Sequence, residues 1–183
     1  GRRTAEPPIS WLMRIKLERP RLISLAAGFT DNPTLPVAGS RRLLNEMLGN
    51  AALGQAALQY GSTAGDATLR KLTASRIRKL DGNLRGQAAS YEVSRTVITH
   101  GSQQFLYLAT EALCDPGDIV LVEDPTYFVY LGIMQSRGVV GRGVRMNRDG
   151  IDLGNLEQVL ESLKRDGSLP RLKILYLVSY YQN

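Results

Sequence analysis

From Val97 to Val178 the chain alternates short apolar runs with stretches of helical length. The runs at 97–99, 119–123, 139–144 and 172–178 have the length and apolar character of buried strands, and the segments near 103–113, 127–137 and 153–166 read as helices. Parallel strands need crossover connections, and helices supply them. The alternation therefore predicts an α/β fold of three layers, a mostly parallel sheet between helices.

The residues at the carboxyl ends of these strands carry the chemistry. Gly101-Ser102-Gln103-Gln104 follows the first run and opens a helix. A turn of this kind aims backbone N–H groups and the positive end of a helix dipole at one point, where an anion such as a phosphate can sit. A simple N-cap would use the same residues. The company distinguishes the two: Glu123-Asp124-Pro125-Thr126-Tyr127 ends the second run and Tyr180-Tyr181-Gln182-Asn183 follows the last. Polar and aromatic clusters at successive carboxyl ends are how open α/β sheets build a ligand site.

Tyr60-Gly61-Ser62-Thr63-Ala64-Gly65, Gly101-Ser102-Gln103-Gln104, Asp115-Pro116-Gly117-Asp118, Asp124-Pro125-Thr126-Tyr127 and Tyr181-Gln182-Asn183 stand in an order and spacing that resembles fold-type I, class I/II pyridoxal-phosphate aminotransferases. The Gly-Ser-Gln-Gln form is similar to the 2-aminoadipate and kynurenine aminotransferase branch, which includes aminotransferase-like domains of bacterial regulators. The resemblance spans residues 22–183. It implies an enzyme that moves an amino group between an amino acid and a 2-oxo acid through a pyridoxal 5′-phosphate Schiff base. It also implies that residues 39–183 are an incomplete cofactor-binding large domain, and residues 1–38 an amino-terminal arm and substrate-side loop.

The same resemblance assigns roles. Gly101, Ser102 and Gln103 would bind the cofactor phosphate, and Tyr127 would stack on the pyridine ring. Asn183 would hydrogen-bond the phenolic oxygen. Tyr60 would reach the phosphate of a neighbouring subunit's cofactor, implying a homodimer, and Gly28 would lie by the substrate carboxylate. Ala27 before Gly28, Thr30-Asp31 after it, and Val178-Ser179-Tyr180-Tyr181 depart from the family's usual pattern. Gln104 fits either the phosphate turn or a helix surface, and Phe128 and Tyr130 read as packing residues.

Transamination needs a lysine for the Schiff base and for proton movement. Lys16, Lys71, Lys79, Lys164 and Lys173 lie outside the family's lysine motif and read as solvent-facing. The chain therefore reads as an amino-terminal half, inactive alone, whose lysine, pyridine-nitrogen acid and carboxylate-binding arginine are expected downstream of Asn183. A related pyridoxal-phosphate lyase or synthase is the alternative within enzymes. A non-catalytic aminotransferase-like ligand-binding domain is the alternative outside them, disfavoured because Trp11 and Ile23 stand too near the start for a preceding DNA-binding domain.

Composition agrees with a soluble globular piece, 183 residues, 43% hydrophobic and 22% charged. With no apolar stretch of the roughly 18 residues that span a bilayer and no apolar signal core at the start, the cytoplasm is the expected location. The net charge of +6 comes from 23 basic residues scattered among 17 acids, without the tracts expected of a nucleic-acid binder. One histidine, His100, and one cysteine, Cys114, offer neither a zinc cluster nor a nucleophile and base pair. Cys114 beside Ala112 and Leu113 reads as a buried small hydrophobe. The glycines of Gly138-Val139-Val140-Gly141-Arg142-Gly143 fall in a strand and do not make a dinucleotide fingerprint. Helices are further expected near 9–19, near 40–50 and from an Asp66 cap to Leu80, closed by Asp81-Gly82-Asn83, with strand-like residues at 22–27. The turn at 81–87 and the polar stretch 145–152 read as linkers.

Overall fold

The computed structural model describes residues 8–23, 30–82 and 91–179. The expected strand at 22–27 and the candidate site residues Gly28 and Asn183 fall wholly or partly outside them. The chain packs as two compact units, one of residues 1–26 and 100–183, the other of residues 27–99.

The sheet belongs to the first unit. Its strands are β1 (Ile119–Asp124), β2 (Val140–Asn147), β3 (Gly150–Ile151) and β4 (Leu172–Tyr176), in the order β3-β2-β1-β4. β1 is parallel to both β2 and β4, and β3 turns back antiparallel on the end of β2. The fold is thus the expected α/β class with a mostly parallel sheet. Residues 145–152 are not the linker that their polarity suggests. Arg148 and Asp149 form the turn of a hairpin, in which the Asp149 N–H donates to Asn147 Oδ1 at 2.9 Å.

β1 is central, and its side chains show why. Ile119 and Leu121 point to one face, where α7 (Leu153–Arg165) packs through Leu156, Val159, Leu160 and Leu163. Val120 and Val122 point to the other, where Tyr130 and Met134 of α6 (Phe128–Arg137) and Leu106 of α5 (Ser102–Leu113) pack. All four β1 residues are buried, and each contributes about 1.5–3 kcal/mol of hydrophobic stabilisation. Successive side chains point to opposite faces, so a strand covered on both faces requires a continuous apolar run. Cys114 joins the α5–α6 side of this core, the buried small hydrophobe expected, and burial pushes its thiol pKa up.

Helix ends follow local chemistry. Asp152 caps α7 by accepting from the Asn155 N–H at 3.0 Å, and Lys164 and Arg165 lie in its last turn, where cations favour the dipole. α6 stops at Gly138, whose φ of 74° is left-handed. α1 (Pro8–Glu18) carries Lys16, whose Nζ donates to the Pro20 and Leu22 carbonyls. Its Trp11 and Leu17 are exposed.

The second unit contains α2 (Val37–Gly49), α3 (Ala51–Leu58) and α4 (Ala67–Leu80). Asp66 caps α4 through the Leu69 N–H at 2.7 Å, as expected. α3 is unforeseen, although Ala-Ala-Leu-Gly-Gln-Ala-Ala-Leu is rich in helix formers and Asn50 caps it through the Leu53 N–H. Residues 97–99 are extended but form no ladder among the described residues. The Ile98 N–H instead bonds to the Ala64 carbonyl at 3.0 Å, and Arg70 Nη1 to the Val93 carbonyl at 3.1 Å. Among the described residues, the segment expected to be a strand is joined to the start of α4 by hydrogen bonds such as these.

Candidate active site

Two helix N-termini meet at the candidate site. Gly101 stands just before α5 with φ 82° and ψ 172°, a backbone conformation that is essentially glycine's own. It turns the chain so that Ser102, Gln103 and Gln104 form the first turn, whose N–H groups have no intrahelical acceptor. Gln104 reaches back: its Oε1 accepts from the His100 N–H at 2.7 Å and lies 3.1 Å from His100 Nδ1. This one-way contact from the first turn back to His100 fixes the angle at which the chain enters α5. Gln104 is therefore committed to the turn itself.

Tyr127 stands immediately before α6, reached from β1 through Asp124, a cis peptide to Pro125, and Thr126. Gln103 Nε2 donates to Tyr127 Oη at 3.3 Å. The expected phosphate turn and the expected stacking ring are thereby side by side, although 24 residues separate them in sequence. Phe128 is 42% exposed and its ring centroid lies 5.5 Å from that of Tyr127, so it flanks that ring instead of filling the core as expected. Tyr130 does pack. Its hydroxyl lies 3.1 Å from Thr110 Oγ1 and its ring 4.4 Å from Tyr176, beneath Tyr127. Burial pushes the phenol pKa of both Tyr130 and Tyr176 up, so both stay neutral.

Beside the end of β1 lies a cavity of about 360 Å³ lined by Asp124, Pro125, Thr126, Leu131, Gly141 and Gly143 among others. Thr126 Oγ1 is buried there and has no hydrogen-bond partner among the described residues. Glu123, 4% exposed, faces away from α6 and accepts from the Val178 N–H at 3.1 Å. Sequence reasoning gave neither residue a role of its own; both stand in the cluster Glu123-Asp124-Pro125-Thr126-Tyr127 at the end of the second apolar run, and that cluster was the available signal.

Tyr60 is fully exposed in the second unit. Of the lysines, Lys164 pairs with Glu161 at 3.9 Å on the surface of α7, Lys71 and Lys79 lie on α4, and Lys173 is exposed on β4.

The sequence profile of the family "Aminotransferase class I and II" matches residues 20–180. The chain belongs to this family. An uncharacterised aminotransferase of Saccharolobus solfataricus is 32% identical over 168 residues, covering 91% of this chain and 39% of that protein. The kynurenine aminotransferase of Pyrococcus horikoshii, solved with PMP, superposes with a TM-score of 0.81 at 30% identity, over 98% of this chain and 41% of that one. LysN, the α-aminoadipate aminotransferase of Thermus thermophilus, solved with N-(5′-phosphopyridoxyl)-L-leucine, gives 0.76 at 29% identity, over 99% and 40%. The chain spans about two-fifths of the length of these relatives, and pyridoxal 5′-phosphate is the family's cofactor. Among the described residues, no helix is long and apolar enough to cross a membrane.

The donor set fits that cofactor. The first turn of α5, with the Ser102 hydroxyl and the Gln103 amide, offers donors to a phosphate. Next to it, Tyr127 offers a flat aromatic face to a ring.

Proposed function

We propose that the intact protein is an aminotransferase that moves an amino group between an amino acid and a 2-oxo acid, with pyridoxal 5′-phosphate as cofactor. The observation that carries this reading is the Gln103–Tyr127 hydrogen bond, which ties a phosphate-type helix N-terminus to an aromatic ring in a chain of this family. When bound, the cofactor supplies an electron-withdrawing ring that can hold the electron pair released at a substrate's α-carbon.

Gly101, Ser102 and Gln103 hold the phosphate by backbone N–H groups, the Ser102 hydroxyl and the α5 dipole. Tyr127 covers one face of the cofactor ring and fixes its plane, and Gln103 restrains the tyrosine. Asn183 donates a hydrogen bond to the phenolic oxygen, and the backbone at Gly28 lies by the substrate carboxylate. In this reading residues 1–38 are an arm and substrate-side loop, and residues 39–183 are part of the cofactor-binding domain. A cytoplasmic homodimer belongs to the same reading, with Tyr60 assigned to the phosphate in the partner subunit; its full exposure in its own unit supports this.

The test is borohydride reduction of the full-length protein in the presence of pyridoxal phosphate, followed by peptide mass spectrometry. A phosphopyridoxyl adduct on one lysine outside Lys16, Lys71, Lys79, Lys164 and Lys173 is expected. A protein that takes up no adduct, or takes it on those surface lysines, refutes the proposal.

A further inference from the structure

We propose that Glu123 is a positioning residue that fixes the chain at Val178, where it leaves β4 ahead of the candidate cofactor contact Asn183. This inference rests on the reading of Asn183 as a cofactor contact. The parallel ladder between β1 and β4 ends at Val122 and Tyr176. Beyond it, the Val178 N–H is met by a side chain, Glu123 Oε1 at 3.1 Å, across 55 residues of sequence. A side chain in the ladder's place holds the backbone at its own reach from β1, so the chain leaves the sheet where the carboxylate directs it. Val178 precedes Asn183 by five residues.

The burial of Glu123 points the same way. It follows Ile119-Val120-Leu121-Val122 on the central strand and lies beside Val144 in the register with β2. An apolar residue would suit this position better for packing alone. A carboxylate withdrawn from water is unfavourable unless hydrogen-bonded, and the Val178 N–H is one of the groups that meets this need. A hydrogen bond to an ionised acceptor is also stronger than its neutral counterpart, which suits a contact that anchors a chain segment leaving a sheet.

The experiment compares wild type, Glu123→Gln and Glu123→Met in the full-length protein. Glutamine keeps an oxygen acceptor, whereas methionine keeps volume but removes it. Hydrogen exchange followed by mass spectrometry is read first without cofactor. Glu123→Met should speed exchange of the peptide covering 177–183 about tenfold or more, leaving the β1 and β4 peptides unchanged, and Glu123→Gln should stay near wild type. Equal exchange in all three proteins overturns the proposal. So does acceleration spread evenly over the sheet in Glu123→Met, because that marks a loss of stability without a local role.

The second readout is the pH midpoint of the bound cofactor's visible absorbance. A donor on the phenolic oxygen favours its anionic form, so misplacing Asn183 should raise the midpoint by roughly half to one unit in Glu123→Met and leave it in place in Glu123→Gln. An unmoved midpoint in Glu123→Met, with the exchange change present, refutes the link to Asn183. A wild-type protein that binds no pyridoxal phosphate refutes the functional reading instead, and the exchange result still decides whether Glu123 directs the chain.

Discussion

Replacing Gly101 by alanine tests the phosphate turn most directly. At φ 82° and ψ 172° an L-residue is strained by about 1–3 kcal/mol. Nothing lies within 4 Å of the position an alanine Cβ would take, so collision adds nothing. Alanine also narrows the unfolded ensemble, which offsets about 0.4–1 kcal/mol. The net loss of stability expected in urea unfolding of the full-length protein is therefore about 0.5–2 kcal/mol. If the backbone relaxes instead, the N–H groups of the turn swing away from the phosphate. Losing one charge-assisted hydrogen bond then weakens cofactor binding roughly 10- to 100-fold. Gly82→Ala is the control: it too has positive φ, 65°, and open space around the new methyl, but it ends α4. It should lose comparable stability and keep cofactor affinity in an absorbance titration. A Gly101→Ala protein with wild-type stability and affinity, or a Gly82→Ala protein that loses affinity equally, would refute the reasoning.

Tyr127→Ala should weaken cofactor affinity about tenfold or more, while Tyr127→Phe, which keeps the ring and loses only the long bond from Gln103, should cost at most about fivefold; equal affinities in the same titration count against stacking. Thr110→Val strands the buried Tyr130 hydroxyl and should cost about 1–3 kcal/mol in urea unfolding. Tyr130→Phe leaves Thr110 bonded to the Leu106 carbonyl and should cost only about 0.5–1.5 kcal/mol, and the reverse ranking would overturn this assignment. The Ser168 hydroxyl and then its N–H lower the Asp166 pKa. A folded-state value below the unfolded one stabilises the protein above the unfolded pKa, and that contribution is lost as pH falls through the folded one. Ser168→Ala should therefore be less stable than wild type at neutral pH, with the gap closing in acid; a gap constant with pH would show that Asp166 is not its source.

Most of the sheet is legible in the sequence because β1 is a short apolar run that burial on both faces demands, and β2 and β4 keep enough apolar residues beside it to read as strands. The exceptions have tertiary causes. Residues 97–99 have a strand's composition, but a strand is defined by its partner, and among the described residues Ile98 meets the Ala64 carbonyl without forming a ladder. β3 is two residues long, too short for any period to register, and exists because Asn147 and Asp149 close a turn. Gly101 and Tyr127 were visible as motif residues, but the contact joining Gln103 to Tyr127 depends on how α5 and α6 pack. Glu123 was visible only as a member of the cluster ending the second run, and its contact with Val178 depends on how β4 lies beside β1.

The two edges of the described sheet differ in how readily they would accept another strand. β2 carries Gly141, Arg142, Gly143 and Arg145, so its outer side combines weak extended preference with like charges that repel an approaching copy. β4 offers Leu172, Ile174, Leu175 and Tyr176, with Leu175 46% exposed and one lysine between them. Of the two described edges, β4 is therefore the one whose side chains suit the addition of a further strand, in a chain that spans about two-fifths of the length of its relatives.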